Sequence, residues 1–141
     1  LAGKIDRVLV DAPCSGMGTL RRNPDLKWRQ TPEGVRELNQ KQMNILTSAA
    51  RLLKPGGRLV YATCSLLPEE NQGIAEDFLA KHPEFEVIPA ADVVKPLFIK
   101  DKLPLGCSLD NPWWQLWPHI HGTDGFFGAV FQKKASKPEQ V

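Results

Sequence analysis

Two cysteines in this 141-residue chain follow short apolar runs that could bring them together. Cys14 comes after Arg7-Val8-Leu9-Val10 and Asp11-Ala12-Pro13, and Cys64 comes after Arg58-Leu59-Val60-Tyr61-Ala62 and Thr63. Each run reads as a buried strand. If the two strands are parallel neighbours, about 4.8 Å apart, both thiols and the Asp11 carboxylate share one crevice within roughly 10 Å. Ligands of open α/β sheets bind outside the carboxyl ends of the strands, which is where this crevice lies. Such a pair of thiols has four readings. Both could be small buried hydrophobes. A disulfide would need an oxidising compartment. Zinc would need more ligands, and the chain has no Cys-x-x-Cys, with His119 and His121 far along the sequence. The fourth is a thiolate that attacks an electrophilic carbon. The strand-end position favours this last reading but does not name the reaction.

The elements that must hold these residues are legible in chain order. Residues 14–31 carry Gly16, Gly18 and Pro24 and read as a loop, with Gly16-Met17-Gly18 as a turn. Thr31-Pro32 is a helix start, with Thr as N-cap and Pro at the first helical position. Val35, Leu38, Gln42, Ile45, Ala49 and Leu53 then form an apolar stripe with one polar interruption, Gln42. Lys54-Pro55-Gly56-Gly57 ends that helix. Strand, helix and strand make a βαβ unit, so strands near 7–10 and 58–62 should be parallel and adjacent. A second helix is predicted from Pro68 to His82, with Ile74, Ala75, Phe78 and Leu79 on one face. Phe85–Ile88 alternates as a strand, and Phe126–Phe131 reads as a buried one.

Between Ile88 and Gly125 lies a long stretch with little periodicity. It holds Pro89, Pro96, Pro104, Pro112 and Pro118, with Trp113, Trp114 and Trp117. Its length points to function or disorder. The tryptophans suit burial against the sheet or stacking on bases, with burial the favoured reading.

Composition bounds the answer. With 42% hydrophobic and 24% charged residues, the chain is globular and sized for one domain, residues 1–141. No apolar run approaches the roughly 20 residues of a membrane helix. No signal-peptide pattern is visible. Three cysteines, an odd number, do not make a disulfide framework, and they point to a cytoplasmic, reducing setting. A net charge of +2 sets up no strong field for nucleic acid. Locally, Arg21, Arg22, Lys27 and Arg29 stand against one acid, Asp25. That cluster could hold phosphates or be a solvated loop. The chain begins with Leu almost directly before a strand, which suggests a piece of a longer protein.

Asp11-Ala12-Pro13-Cys14-Ser15-Gly16, Arg21-Arg22-Asn23-Pro24-Asp25, Tyr61-Ala62-Thr63-Cys64-Ser65 and Pro68-Glu69-Glu70-Asn71 together resemble the RNA cytosine-5 methyltransferases of the Sun/NOL/NOP family. The likeness is strongest to the bacterial members that act on 16S ribosomal RNA. It spans nearly the whole chain and includes Thr123-Asp124-Gly125-Phe126-Phe127, with residues 90–115 as its weakest part. It implies the carboxyl-terminal half of a Rossmann-like class I methyltransferase sheet that uses S-adenosyl-L-methionine (SAM), with an antiparallel last strand. It also implies a role for each thiol. Cys64 would add to C6 of cytosine and activate C5 for methylation, and Cys14 would assist release. The DNA cytosine-5 enzymes use a Pro-Cys nucleophile, which makes Cys14 the runner-up for that role. The same resemblance places Asp11 beside the cofactor and the base, and assigns Pro13, Arg21 and Arg22 to the RNA substrate. Cys107 is read as incidental, and no metal is implied.

The resemblance also implies a missing partner. The cofactor's glycine-rich loop and the acid after the next strand would lie upstream, in an amino-terminal half of the same protein. Gly16-Met17-Gly18 does not replace that loop, since no helix follows closely enough to present its amides. Two functions therefore stand: part of an RNA methyltransferase, or a non-catalytic RNA-binding or assembly module that kept the motif. The intact Cys64, Cys14 and Asp11 favour the enzyme.

Overall fold

The computed structural model describes residues 1–94 and 105–135. Pro96 and Pro104 of the long stretch, and the end of the polar tail, lie outside the described residues. The two Val- and Leu-bearing runs form the expected parallel pair, β1 (Ile5–Asp11) and β2 (Leu53–Thr63), in register from Arg7 opposite Arg58 to Asp11 opposite Ala62. The upstream extension of β2 contains a bulge. Ile5 pairs with Leu53 but Arg7 with Arg58, so Lys54-Pro55-Gly56-Gly57 loops out of the ladder. Gly56 supplies a φ of 82° there, a conformation side chains resist. Lys54 closes the bulge with an ion pair to Asp6.

A parallel pair needs a crossover. After a single turn, α1 (Leu26–Arg29), this is α2 (Pro32–Leu52). Thr31 caps it, its Oγ1 accepting the Gly34 amide at 3.0 Å, and Pro32 needs no amide partner there. The buried face is rotated from the expected stripe. Gln42, Met43, Leu46, Ala49 and Ala50 are buried, while Ile45 is 38% exposed. The reason is that α2 packs against α3 as well as against β1 and β2. The faces those contacts cover, rather than the apolar stripe alone, decide which positions are buried, and Ile45 falls outside them.

The helix α3 (Gln72–Lys81) begins four residues after the expected Pro68. Residues 68–71 are instead a turn, closed by the Gly73 amide on the Pro68 carbonyl at 2.8 Å. That turn drives the Glu70 and Asn71 side chains into the interior, where both are buried. Ile74, Ala75 and Phe78 are buried as predicted, and Leu79 packs at the margin.

β3 (Phe85–Ile88) and β5 (Phe126–Lys133) complete the sheet in the order β1-β2-β5-β3, with β5 antiparallel to both neighbours. The described parts of the long stretch hold α4 (Ala90–Val94), β4 (Trp114–Leu116) and α5 (Pro118–His121). β4 pairs with the start of β5, Trp114 opposite Gly128. Three residues are too few to show a period, so the sequence does not announce this strand. Trp113 is buried and packs on Phe127 with centroids 5.6 Å apart, so its role is in the core rather than in base stacking.

By strand alternation, Leu59, Tyr61, Phe127, Ala129 and Phe131 share one sheet face, where they cluster with Leu46 and Phe78. A buried ring of this size contributes about 1.5–3 kcal/mol. The opposite face is thinner at its margin. There Leu9, on the edge strand β1, is 68% exposed.

Candidate active site

β1 and β2 deliver their carboxyl ends side by side, and the ladder continues past them through the Ala12 amide on the Ala62 carbonyl at 2.9 Å. The two cysteine loops therefore leave the sheet together. The Cys14 and Cys64 sulfurs end 3.4 Å apart, both half-buried. The contact sets their acidities in opposite directions. As acceptor of the Cys14 S–H, Cys64 is held down to about 7, against the desolvation that burial imposes. Cys14, holding the shared proton and partly desolvated, is pushed far above the thiol range. Such a pair presents one thiolate near neutral pH and one thiol beside it.

A buried polar network frames the pair. Glu70 accepts the Ser15 amide at 2.7 Å and the Ser15 hydroxyl at 2.6 Å, and also takes the Ser65 hydroxyl. Gln42 donates to the Pro13 carbonyl at 2.9 Å. Asn71 donates to the Ser65 carbonyl at 2.9 Å and accepts the Thr63 hydroxyl at 2.6 Å. Tyr61 donates to the Glu70 carbonyl at 2.6 Å, and its buried phenol is pushed well above the usual tyrosine range. Among the described residues no buried side-chain polar atom lacks a partner. Sequence reasoning did not assign these residues to the site. Two signals were available: Gln42 is the polar interruption of an otherwise apolar helix stripe, and Ser15, Ser65, Glu70 and Asn71 fall within the motif segments.

Gly16-Met17-Gly18 forms a 3-10 turn at Met17–Thr19 rather than an anion loop. The Gly18 amide donates to the Cys64 carbonyl at 2.8 Å, and the Gly125 amide donates to the Gly18 carbonyl at 2.7 Å. A side chain at Gly18 would overlap both the Gly125 and Cys64 carbonyl oxygens.

Asp11 is exposed at the end of β1. Unlike Asp6 and Asp124, it enters no ion pair among the described residues. A free carboxylate at a strand end fits the ammonium of SAM or an amino group of a base, and the described residues supply it as one contact to such a group. Pro13 is exposed beside it. Arg21 and Arg22 are brought together, but on Asp124: Arg21 Nε lies 2.8 Å and Arg22 Nη2 2.7 Å from its two oxygens. These bonds, Arg21's first, hold the Asp124 carboxyl below the usual carboxylate range. Both guanidinium groups remain largely exposed. Arg29 is paired with Asp25 at 2.7 Å. Cys107 lies elsewhere, in a depression of about 200 Å³ it shares with Trp117 and His121. His121 accepts the Trp117 amide at 2.9 Å and so is a structural group of α5. No cluster of three or more metal-ligating side chains occurs among the described residues, and no described helix is long and apolar enough to cross a membrane.

Comparison with known proteins places this geometry in a family. Residues 1–132 match the family described as 16S rRNA methyltransferase RsmB/F. The chain is 44% identical over 128 residues to a protein of Mycobacterium tuberculosis, covering 91% of this chain and 26% of that protein. It is 41% identical over 131 residues to the ribosomal RNA small subunit methyltransferase B of Yersinia pseudotuberculosis, covering 93% of this chain and 27% of that one. The chain thus spans about a quarter of the length of these relatives. Among solved structures, NSun6 from Pyrococcus horikoshii with SFG superposes with a TM-score of 0.72 at 28% identity, over 94% of this chain and 31% of that one. A methyltransferase homologue from the same organism gives a TM-score of 0.66 at 31% identity, over 92% and 39%. The two adjacent thiol loops, the class I methyltransferase strand order and the match over residues 1–132 agree: this chain belongs to the 16S rRNA methyltransferase RsmB/F family.

Proposed function

We propose that this chain carries the nucleophile-bearing part of an enzyme that transfers a methyl group from SAM to C5 of a cytosine in RNA, with 16S ribosomal RNA as substrate, through a covalent cysteine–C6 adduct. The observation that carries the reading is the meeting of the two thiols, 3.4 Å apart, just past the carboxyl ends of the parallel strands β1 and β2, a contact that favours the Cys64 thiolate. C5 of cytosine is a poor nucleophile. Addition of the Cys64 thiolate to C6 turns the ring into an enamine whose C5 can attack an electrophilic carbon. SAM, when bound, supplies that carbon as its methyl group. Cys14 keeps its proton beside the attacking sulfur and is placed to assist when the C5 proton is lost and Cys64 leaves. Asp11, free at the strand end, is positioned to hold the cytosine amino group or the cofactor ammonium. Pro13, Arg21 and Arg22 lie on the loop that would face the RNA. The NSun6 relative was solved with SFG, a SAM analogue, which supports a cofactor of this type. A module freed of chemistry would have no use for a lowered thiol, so the enzymatic reading is preferred over a non-catalytic assembly role.

The test is made in the full-length protein. Cys64→Ala should abolish turnover and any covalent RNA adduct, because the C6 bond cannot form. Cys14→Ala should let the adduct form and accumulate. Loss of the adduct with Cys14→Ala and its survival with Cys64→Ala would reverse the assignment.

A further inference from the structure

One buried carboxylate touches both cysteine loops. Ser15 follows Cys14, Ser65 follows Cys64, and both serines end on Glu70. A carboxylate has about four lone-pair sites. Here they are filled by the Ser15 amide and hydroxyl, the Ser65 hydroxyl and, at 3.4 Å, the Gln42 amide. Glu70 itself is fully buried, and its carbonyl is anchored to the sheet by Tyr61 at 2.6 Å. Burying a charge is costly unless every bond is made. An apolar residue would fill this space at lower cost, so packing alone does not account for a glutamate here. Fixing two separate loops to one reference point does.

We propose that Glu70 is a positioning residue for both thiols: its carboxylate sets the spacing of Cys14 to Cys64, and through it the rate of adduct formation. This rests on the reading of Cys64 as nucleophile. The lever is geometric. Without the clamp the two loops are still joined by the Gly18 amide on the Cys64 carbonyl and by the Ser15–Ser65 hydroxyl contact at 3.3 Å, but both hydroxyls lose the carboxylate oxygen that orients them. A displacement of about 1 Å in a reacting group can cost roughly 100-fold in rate.

The experiment uses the full-length protein with Glu70→Gln, which keeps the size but removes one acceptor oxygen. The expected result is a fall in kcat of about 10- to 100-fold, with KM for RNA and for SAM unchanged. A second readout needs no methylation. Cys64 thiolate attacks oxidised glutathione, forming a mixed disulfide and releasing one glutathione thiolate. Cys14 then attacks the mixed disulfide, releasing a second glutathione and closing a Cys14–Cys64 disulfide. In Glu70→Gln the closing step should slow more than the first, so the mixed disulfide accumulates. Should Glu70→Gln fail to fold, Ser65→Ala removes one arm and should lower both readouts by less. A folded variant with the parent's kcat and closing rate would overturn the proposal. Methylation that survives Cys64→Ala would instead sink the nucleophile reading, while the closing rate would still report on Glu70.

Discussion

The sulfurs of Cys14 and Cys64, 50 residues apart in sequence, lie 3.4 Å apart in space. With Cys14 as the donor, Cys64 is held down to about 7. Alkylation of Cys64 by iodoacetamide should therefore rise with pH and reach half its plateau near pH 7. Replacing Cys14 by Ala removes the donor and leaves desolvation, which raises the thiol. The midpoint should then move to or above the ordinary cysteine value of 9.0. Mass spectrometry of the modified peptide across a pH series measures both. An unmoved midpoint in Cys14→Ala would mean that the donor is not Cys14.

If Arg21 and Arg22 each neutralise one phosphate of single-stranded RNA, removing both should reduce the slope of log affinity against log salt by about 1.4, at about 0.7 per contact. Their ion pairs with Asp124 orient the two forks without covering them. Asp124→Asn should weaken RNA binding less than the double Ala variant, because the charges remain. Filter binding over a salt series distinguishes the cases, and an unchanged slope would return both residues to a purely structural role.

Gly18→Ala should destabilise the protein by about 1–3 kcal/mol. The upper end is expected, because the atoms in the way are backbone carbonyls, which cannot rotate aside as a side chain could. Chemical denaturation of the full-length protein, parent against variant, provides the number. A neutral substitution would show that the Gly18 turn is looser than described.

Residues 1–141 alone should bind SAM weakly. A crevice at a switch point draws loops from both sides of the sheet, whereas β1 is here an edge strand. Asp11 can contribute one charged hydrogen bond, about 1.5–3 kcal/mol, where micromolar affinity needs about 8 kcal/mol. The open edge and the exposed Leu9 should also drive self-association. Leu9→Lys should reduce it. Calorimetry and sedimentation of the segment measure both, and saturable micromolar binding by a monomer would contradict the expectation.

What the sequence disclosed follows from the range of the interactions involved. Val8–Val10 and Leu59–Tyr61 are short apolar runs with a helix between them, and parallel pairing of their strands follows from topology rules alone. The meeting of Cys14 and Cys64 follows from that pairing. Ile45 is exposed although it fits the apolar stripe, because periodicity does not tell which arc of α2 its neighbours α3, β1 and β2 cover. The start of α3 was misplaced because the turn at Pro68 exists to bury Glu70 and Asn71, and their partners are on loops 5 to 55 residues away. Polar contacts between separate loops leave no hydrophobic periodicity to read. The pairing of Arg21 with Asp124, 103 residues on, is hidden for the same reason.

The chain of amides from Gly125 to Gly18 to the Cys64 carbonyl has a consequence for local opening. These bonds belong to no strand ladder or α-helix, yet neither can break without disturbing the start of β5 or the cysteine loop. The Gly18 and Gly125 amide protons should thus exchange with solvent deuterium at rates close to those of β2 and β5, and far more slowly than amides of the Arg21–Arg29 segment. Motion that widens the crevice must then arise from that outer segment, while the floor carrying both sulfurs opens only when the sheet itself does.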